Sequence, residues 1–565
     1  MRQNKIITRF SILLGVLFFW GNSFAQISVS INQQTIKQII LQIEKTSGYN
    51  VFYTDKLPNL DTRKDLHVSN APLEAILKEL FKGTKITFEI KPNKQVLLFQ
   101  QANKPSGNRK QVPSKLLVEA ESFDRKGGWV VDQQFMDLMG SPYLMAHGMG
   151  VPVEDASTTI SFPEDGTYYV FVRTYNWTSP WYDGKGPGKF TLAVDNKKLP
   201  VVLGDEGKQW MWQPAGTVSV KAGSSSLTLK DLTGFNGRCD AIYFTTEKGQ
   251  LPPAQTTQLT DFRKKMLDIP AEPEQYSYDV IVTGGGIAGM CAAATASRLG
   301  CKVALINDRP VLGGNNSSEV RVHLGGNIGV GPNSGLGRMI REFGHSKEGN
   351  AKPAANYEDE KKELFIANEK NITLYANYRA ISVKTDGNRI ESVIIKHIEN
   401  GKEVELKAPL FSDCTGDGTI GYLAGADYNM GRESRTEYGE ELAPIQPDKM
   451  TMGSSVQWYS ADKGKPTRFP IFSYGLQFNE KNCEKVTMGE WKWETGMNFN
   501  QIDDFERIRD YGLMVIYSNW SFLKNELKDN KKYKNRALDW VAYIAGKRES
   551  RRLLGDYILK QDDIC

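Results

Sequence analysis

The chain has 565 residues, of which 40% are hydrophobic and 24% charged, and its formal net charge is +5. One hydrophobic core cannot organise that length, so three or more domains are expected, with an ordinary globular composition rather than a disordered or fibrous one. Three of the positive charges (Arg2, Lys5, Arg9) sit in a leader with no acid beside them, so the remainder is close to neutral. This argues against a nucleic-acid partner, which needs clustered excess basic charge.

In the leader, the basic start precedes an apolar run, Phe10–Trp20, and a small-residue exit at Ser23-Phe24-Ala25. The run is short for a bilayer span and an A-x-A-like site follows it, so residues 1–25 read as a cleaved signal peptide; a retained anchor is the alternative. The protein is therefore expected to be periplasmic or exported. No cysteine follows the run to suggest a lipoprotein. The six cysteines are scattered without a Cys-x-x-Cys pair, which offers neither a zinc site nor an iron–sulfur run. Cys291 and Cys301 are expected to be buried as small hydrophobes.

Residues 26–101 read as a small α+β domain of two similar halves. Ile36, Ile39, Ile40 and Ile43 share one helical stripe that stops near Gly48, and a strand at Asn50–Tyr53 follows. A second helix opens at Asn70 with Pro72 just inside, carries Leu73, Ile76, Leu77 and Leu80, and ends at Gly83 before a strand at Lys85–Ile90. Thr35–Ile40, Gly48–Tyr53 and Leu73–Gly83 resemble the secretin and TonB N-terminal short domain. That resemblance implies contact with a periplasmic or outer-membrane protein; a stabilising appendage without a partner is the alternative.

Polar, turn-rich residues 102–115 form a linker, and residues 116–247 read as all-β. Strands are expected at Thr158–Phe162, Thr167–Tyr175, Phe190–Val194, Ser226–Leu229 and Ala241–Phe244, a spacing that suggests a sandwich. Glu119-Ala120-Glu121, Gly166–Val170 and Gly237–Ile242 resemble lectin-like carbohydrate-binding modules of jelly-roll type. The resemblance implies a structural calcium held by Glu119, Glu121 and Asp240, carboxylates being suitable hard ligands. Trp177 and Trp181 lie in a Gly/Pro-rich loop where flat indole faces could stack on a glycan; the alternative is that they pack the core.

After a polar connector, residues 248–275, the segment 276–565 carries the chemistry. Strand Tyr278–Val282 leads into Gly284, Gly286 and Gly289, then a helix Met290–Leu299 and a second strand Lys302–Ile306. This is the order of a dinucleotide-binding unit: Gly284 for the turn, Gly286 for backbone approach to a pyrophosphate at the helix N-terminus, Gly289 for helix–strand packing. Asn307 stands where such sites place the ribose-binding acid, with Asp308 next to it.

Two further stretches point to a flavin. Arg309–Asn315, with Gly313 and Gly314, resembles the Gly-Gly signature of flavoproteins, and Leu410–Gly418, with Gly416 and Asp417, resembles their second nucleotide motif. Together these residues resemble the bacterial FAD-dependent oxidoreductase family related to heterodisulfide reductase A-like flavoproteins, well over 276–435 and again at Arg548–Asp556. The resemblance implies bound FAD and redox chemistry on a small organic substrate. Some relatives carry a four-iron cluster, which the scattered cysteines do not support. FAD folds of this kind use a returning C-terminal segment to complete the flavin site, so a chain stopping at Asp562–Cys565 reads as truncated there.

If Asn315–His323 is extended, Glu319, Arg321 and His323 share one face, with His323 placed for proton transfer and Arg321 as an anion anchor. The alternative is a Glu319–Arg321 pair beside a structural histidine. Gly546–Arg552 is a basic cluster that binds a carboxylate or phosphate, or else is a solvated helix face. The whole reads as a small α+β domain, an all-β jelly-roll sandwich and an α/β Rossmann-type FAD-binding domain. The expected function is that of an exported FAD-dependent oxidoreductase acting on a small organic substrate, for which the neighbouring sandwich suggests a sugar or glycan-derived compound. The competing reading is a non-catalytic glycan-binding or sensing protein.

Overall fold

A computed structural model describes residues 27–54, 57–91, 94–100, 113–326, 334–335, 337–344, 349–490 and 493–563. The leader, most of the 102–115 linker and Cys565 lie outside the described residues. The chain divides into two compact units at Gln111/Val112. Among the described residues no helix is long and apolar enough to cross a membrane.

In the first unit, helix Ile36–Ser47 starts with a capping box: Thr35 Oγ1 accepts from the Gln38 amide while Gln38 Oε1 accepts from the Thr35 amide. The helix ends at Gly48 in the left-handed conformation. Ile36, Ile39, Ile40 and Ile43 are fully buried against the second helix, Leu73–Phe81. That helix begins three residues later than expected. Asn70 lies within strand Arg63–Ala71 with φ 51°, and Pro72 takes the cap position. The long strand Ile27–Thr35, paired antiparallel with Arg63–Ala71, had no local sequence signal of comparable strength.

The second unit opens with a β-sandwich. One sheet contains Gly166–Thr174 flanked by Met211–Val220 and Gly237–Thr245, the other Phe190–Val194, Gly223–Asp231 and Ala156–Phe162. The five expected strands are present, several extended by a few residues. The expected connector is not simply a connector. Helix Thr256–Met266 lies on the sandwich through Leu259 and Phe262, which pack with Leu117, Trp212 and Tyr243. Strand Glu274–Ser277 then pairs parallel with Glu403–Lys407.

The nucleotide-binding part is a four-stranded parallel sheet in the order Ile372–Ala376, Val303–Asn307, Val280–Thr283, Leu410–Asp413. Helix Ile287–Arg298 connects the middle two strands. The two stretches singled out as nucleotide motifs thus leave neighbouring strands, so both loops open at the same sheet edge.

The largest core cluster belongs to neither the sandwich nor the parallel sheet alone. Helix Phe505–Asn525 buries residues on almost every side, an all-round pattern that marks an internal helix. Its Leu513, Tyr517 and Trp520 share one cluster with Phe135, Tyr143, Trp177 and Phe235 of the sandwich and with Trp458 and Phe472. Charges cross the same boundary. Arg238 contacts Glu506 at 2.7 Å and Asp510 at 2.5 Å, and Arg509 contacts Asp132 at 2.7 Å and Asp510 at 2.8 Å; both guanidiniums are fully buried. Burying these ions requires the close pairing they have. Of the two readings of Trp177, glycan stacking and core packing, the structure has the second: the side chain is fully buried. Its indole N–H donates to the Phe235 carbonyl (2.9 Å) and its ring stacks on Phe472. Trp181 packs on Tyr511 of the helix.

Candidate active site

The two glycine loops enclose a cavity of about 510 Å³ at the C-terminal edge of the parallel sheet. Its floor is Gly284–Gly286, and Gly313 donates its N–H to the Gly285 carbonyl (2.9 Å), which ties the second glycine pair onto the first. Two glycines are sterically required. A Cβ on Gly289 would lie 1.8 Å from the Gly284 carbonyl oxygen. Gly284 has φ +104°, and a Cβ there would meet the Cys414 carbonyl oxygen at 2.2 Å. By contrast, a Cβ on Gly286 would meet only Gly314 Cα, at 3.9 Å, so this backbone opens onto free space. Helix Ile287–Arg298 starts there with no side-chain cap and no acid in its first turn, which leaves its N–H groups and dipole for an anion. Arg309, Arg379, Lys547 and Arg548 also line the cavity. This donor set fits a pyrophosphate-containing dinucleotide such as FAD.

Asn307 ends its strand beside Gly285, but its amide donates to the Arg309 and Val311 carbonyls (2.7 and 2.9 Å), shaping the turn that carries the next motif. Asp308 lines the cavity and is paired with Arg379 at 2.9 Å. Arg379 also holds Asp137 of the sandwich at 2.8 Å. Although burial works against the Asp137 charge, this guanidinium keeps its carboxyl below the usual range. Gln133 and Gln134 line the same cavity, and Gln134 bonds to the Tyr543 carbonyl and the Ala545 N–H. The sandwich is therefore part of the site wall. Arg379 and these glutamines carry no local signal; only tertiary packing brings them to the glycines.

Asp417 accepts from Lys547 Nζ (2.9 Å) and Ser550 Oγ (2.7 Å), while the Gly416 carbonyl accepts from Ser550 as well. Burial pushes the Lys547 ammonium down despite the attraction of Asp417. The basic cluster is thus a non-helical strap fixed to the second nucleotide motif rather than a solvated helix face.

The expected shared face of Glu319, Arg321 and His323 does not form, because Arg321 has φ 65° and breaks any extended run. Arg321 is largely buried, lies over the Trp540 ring at 3.9 Å and donates to the Ser318 and Lys352 carbonyls. It does not line the cavity, so an anion-anchoring role is withdrawn. Glu319 meets Arg309 at 3.7 Å and Tyr543 Oη at 3.2 Å, not Arg321. Burial pushes its carboxyl up. His323 does line the cavity, held by Asn350.

The acids expected to hold calcium converge around an arginine instead. Arg263, from the helix in the expected connector, contacts Glu119 at 2.8 Å and Asp240 at 2.6 Å, and Arg173 contacts Asp240 at 2.7 Å. Among the described residues no three His, Cys, Asp or Glu side chains are arranged to hold a metal ion. The guanidinium supplies the positive charge that a cation would have brought. Glu121 stays buried beside this group, and burial together with Glu119 and Asp240 pushes its carboxyl well up.

Residues 49–101 match the Secretin and TonB N terminus short domain. A soluble pyridine nucleotide transhydrogenase of Ectopseudomonas mendocina (strain ymp) is 37% identical over 68 residues, 12% of this chain and 13% of that protein. Solved structures with partial likeness include a geranylgeranyl bacteriochlorophyll reductase-like protein from Thermoplasma acidophilum. It is 19% identical with a TM-score of 0.24, over 33% of this chain and 48% of that one. A flavin-dependent monooxygenase in complex with FAD and substrate is 15% identical, TM-score 0.21, over 34% and 36%. A GH26-CBM35 β-(1,4)-mannanase of Podospora anserina is 16% identical, TM-score 0.19, over 35% and 51%. The chain spans about half or less of each of these proteins, and TM-scores this low carry no argument about fold or function. Residues 279–565, a little more than half of the chain and the stretch that supplies both glycine loops, match the FAD dependent oxidoreductase family, and the protein belongs to that family.

Proposed function

We propose that this flavin-dependent oxidoreductase is an exported enzyme acting on a small organic compound derived from a glycan, with His323 handling a proton at the reacting centre. The observation that carries the reading is the joint cavity: two glycine loops, an uncapped helix N-terminus and four cationic side chains, walled on one side by the sandwich. In it Gly284–Gly286 and the start of helix Ile287–Arg298 would hold the pyrophosphate. Asn307 and Asp308 stand at the ribose position, and Gly313, Gly314, Gly416 and Asp417 would enclose the rest. Bound FAD supplies two-electron redox chemistry; the protein's share is binding, orientation, exclusion of water and proton transfer. Export is supported by the leader and by the short domain at residues 49–101, whose relatives by name belong to secretin and TonB proteins. We further infer that the short domain contacts an envelope protein.

A glycan-derived substrate is favoured by Gln133 and Gln134 of the sandwich lining the cavity and by Asp137 holding Arg379 at its wall, which would let the sandwich shape substrate entry. The non-catalytic glycan-binding alternative loses its main support, since Trp177 is core and Trp181 packs on the long helix. The test is the absorbance spectrum of the purified chain with and without added FAD, followed by anaerobic bleaching with a panel of sugars and uronic acids. Flavin absorbance and bleaching by at least one compound are expected. A colourless protein that takes up no FAD would contradict the cofactor reading, and flavin that no panel member bleaches would contradict the substrate class.

A further inference from the structure

The side chains behind His323 extend its proposed role to two residues that the nucleotide motifs do not include. Asn350 Oδ1 accepts the backbone N–H of His323 (3.1 Å) and lies 3.0 Å from His323 Nδ1. Its Nδ2 donates to Glu490 Oε2 (3.1 Å). The orientation of this amide follows from its partners: a backbone N–H can only donate and a carboxylate can only accept, so the oxygen faces His323 and the nitrogen faces Glu490. An amide oxygen can only accept, so the ring nitrogen beside it must carry hydrogen. Asn350 is itself buried and its loop is anchored. Ala351 donates its N–H to the Arg321 carbonyl (2.9 Å), and Tyr357 Oη bonds both that carbonyl (2.7 Å) and the Lys352 N–H (3.1 Å). Among the described residues His323 Nε2 meets no hydrogen-bond partner.

We propose that Asn350, oriented by Glu490, locks His323 in the Nδ1–H tautomer, so that Nε2 is the basic atom presented at the wall of the dinucleotide cavity. Asn350 and Glu490 are positioning residues. His323 then exchanges protons with the cavity through Nε2, accepting one there when neutral and returning it from the same atom when charged, while Nδ1 keeps its hydrogen toward Asn350. The assignment of that role rests on the proposed function, but the tautomer itself does not. Glu490 also lines a second cavity of about 680 Å³, which gives the carboxylate an aqueous side. Which ring nitrogen of a histidine is protonated is set by the hydrogen bond the other nitrogen makes, and here the acceptor at Nδ1 is the Asn350 amide oxygen.

The test is nitrogen NMR of the full chain carrying ¹⁵N-histidine, at a pH where the ring is neutral, with the His323 signals assigned by their loss in His323→Gln. The wild type is expected to show Nδ1 protonated and Nε2 with the shift of an unprotonated ring nitrogen. Asn350→Leu should move His323 toward the Nε2–H form usual for a solvated imidazole, whereas Asn350→Asp, which keeps an acceptor, should retain Nδ1–H. A wild-type His323 in the Nε2–H form would overturn the proposal. So would an unchanged tautomer in a folded Asn350→Leu, or its loss in a folded Asn350→Asp. Flavin absorbance of the same samples reports separately on the cofactor, so a chain without FAD but with Nδ1–H would sink the oxidoreductase reading and leave the tautomer standing.

Discussion

The short domain at 27–100 and the sandwich at 113–247 both read in sequence as separate accessory domains ahead of the redox region, the first α+β and the second all-β. Their cores differ. The short domain closes its isoleucines and leucines into a cluster of its own. The sandwich has a private cluster around Phe162, Val170 and Leu229, but it also contributes Phe135, Tyr143, Trp177 and Phe235 to the largest core of the second unit. It adds two fully buried arginine networks and three residues of the cavity wall or its clamp. A domain that shares core, charges and cavity with an enzyme is a structural part of it, whatever it also binds.

The sharpest way to break that contrast is deletion. Removing residues 27–100 should leave flavin binding and the melting temperature of the remainder nearly unchanged. Removing 113–247 should abolish folding, because it strips one face of helix Phe505–Asn525 and takes Arg238 from Glu506 and Asp510 and Asp132 from Arg509. Thermal melting and flavin absorbance of the two shortened chains check this, and a soluble, flavin-binding chain without the sandwich would end the argument. Next in size, Gly289→Ala should eliminate FAD binding, since its Cβ would overlap the Gly284 carbonyl; spectral titration with FAD measures it.

How much of this was legible in the sequence follows the range of the interactions. The dinucleotide loop was readable because strand, glycines and helix follow one another within one short stretch, even though the contact that requires Gly284 comes from Cys414, and the strand Leu410–Asp413 beside Val280–Thr283 carries its own glycine motif. The sequence left Trp177 open between sugar contact and core packing because what covers it is Phe472 and Tyr517, about three hundred residues later in the chain. The calcium reading failed for a similar reason: the acids do meet, but a helix hidden in an expected connector brings Arg263 among them. Arg321 was misplaced by one backbone angle, since its left-handed φ sends its side chain to Trp540 while His323 stays at the cavity. Asn350 and Gln134 had no pattern to announce them.

Two smaller effects sharpen the comparison. Arg509→Leu leaves the buried Asp132 without its guanidinium and Asp510 with Arg238 alone, and should cost about 3–5 kcal/mol of stability in the second unit. Trp177→Ala should cost a similar roughly 3–5 kcal/mol. Chemical denaturation measures both, and an unchanged midpoint for either would show that the shared core is not what holds the sandwich. The smallest effect concerns pH. Asp132 is held below its ordinary range in the fold because Arg509, backed by hydrogen bonds, outweighs the burial that opposes its charge. Its contribution is present above the unfolded carboxylate value of 3.8 and is lost as pH falls below it. Glu121 runs the other way: its folded value is raised, so the fold gains from it only at acidic pH and loses that advantage as pH rises above 4.5. Glu121→Gln should therefore raise the melting temperature at neutral pH and leave it nearly unchanged at pH 4. Equal shifts at both pH values would show that the buried carboxylate carries no charge-related cost.

The central claim, that the sandwich and the flavin region are one cooperative body, is tested most directly by calorimetry of the full chain loaded with FAD. A single transition is predicted for residues 113–563, sandwich and flavin region together, with FAD release in the same step and the short domain melting independently. A separate sandwich transition that leaves flavin bound would contradict it.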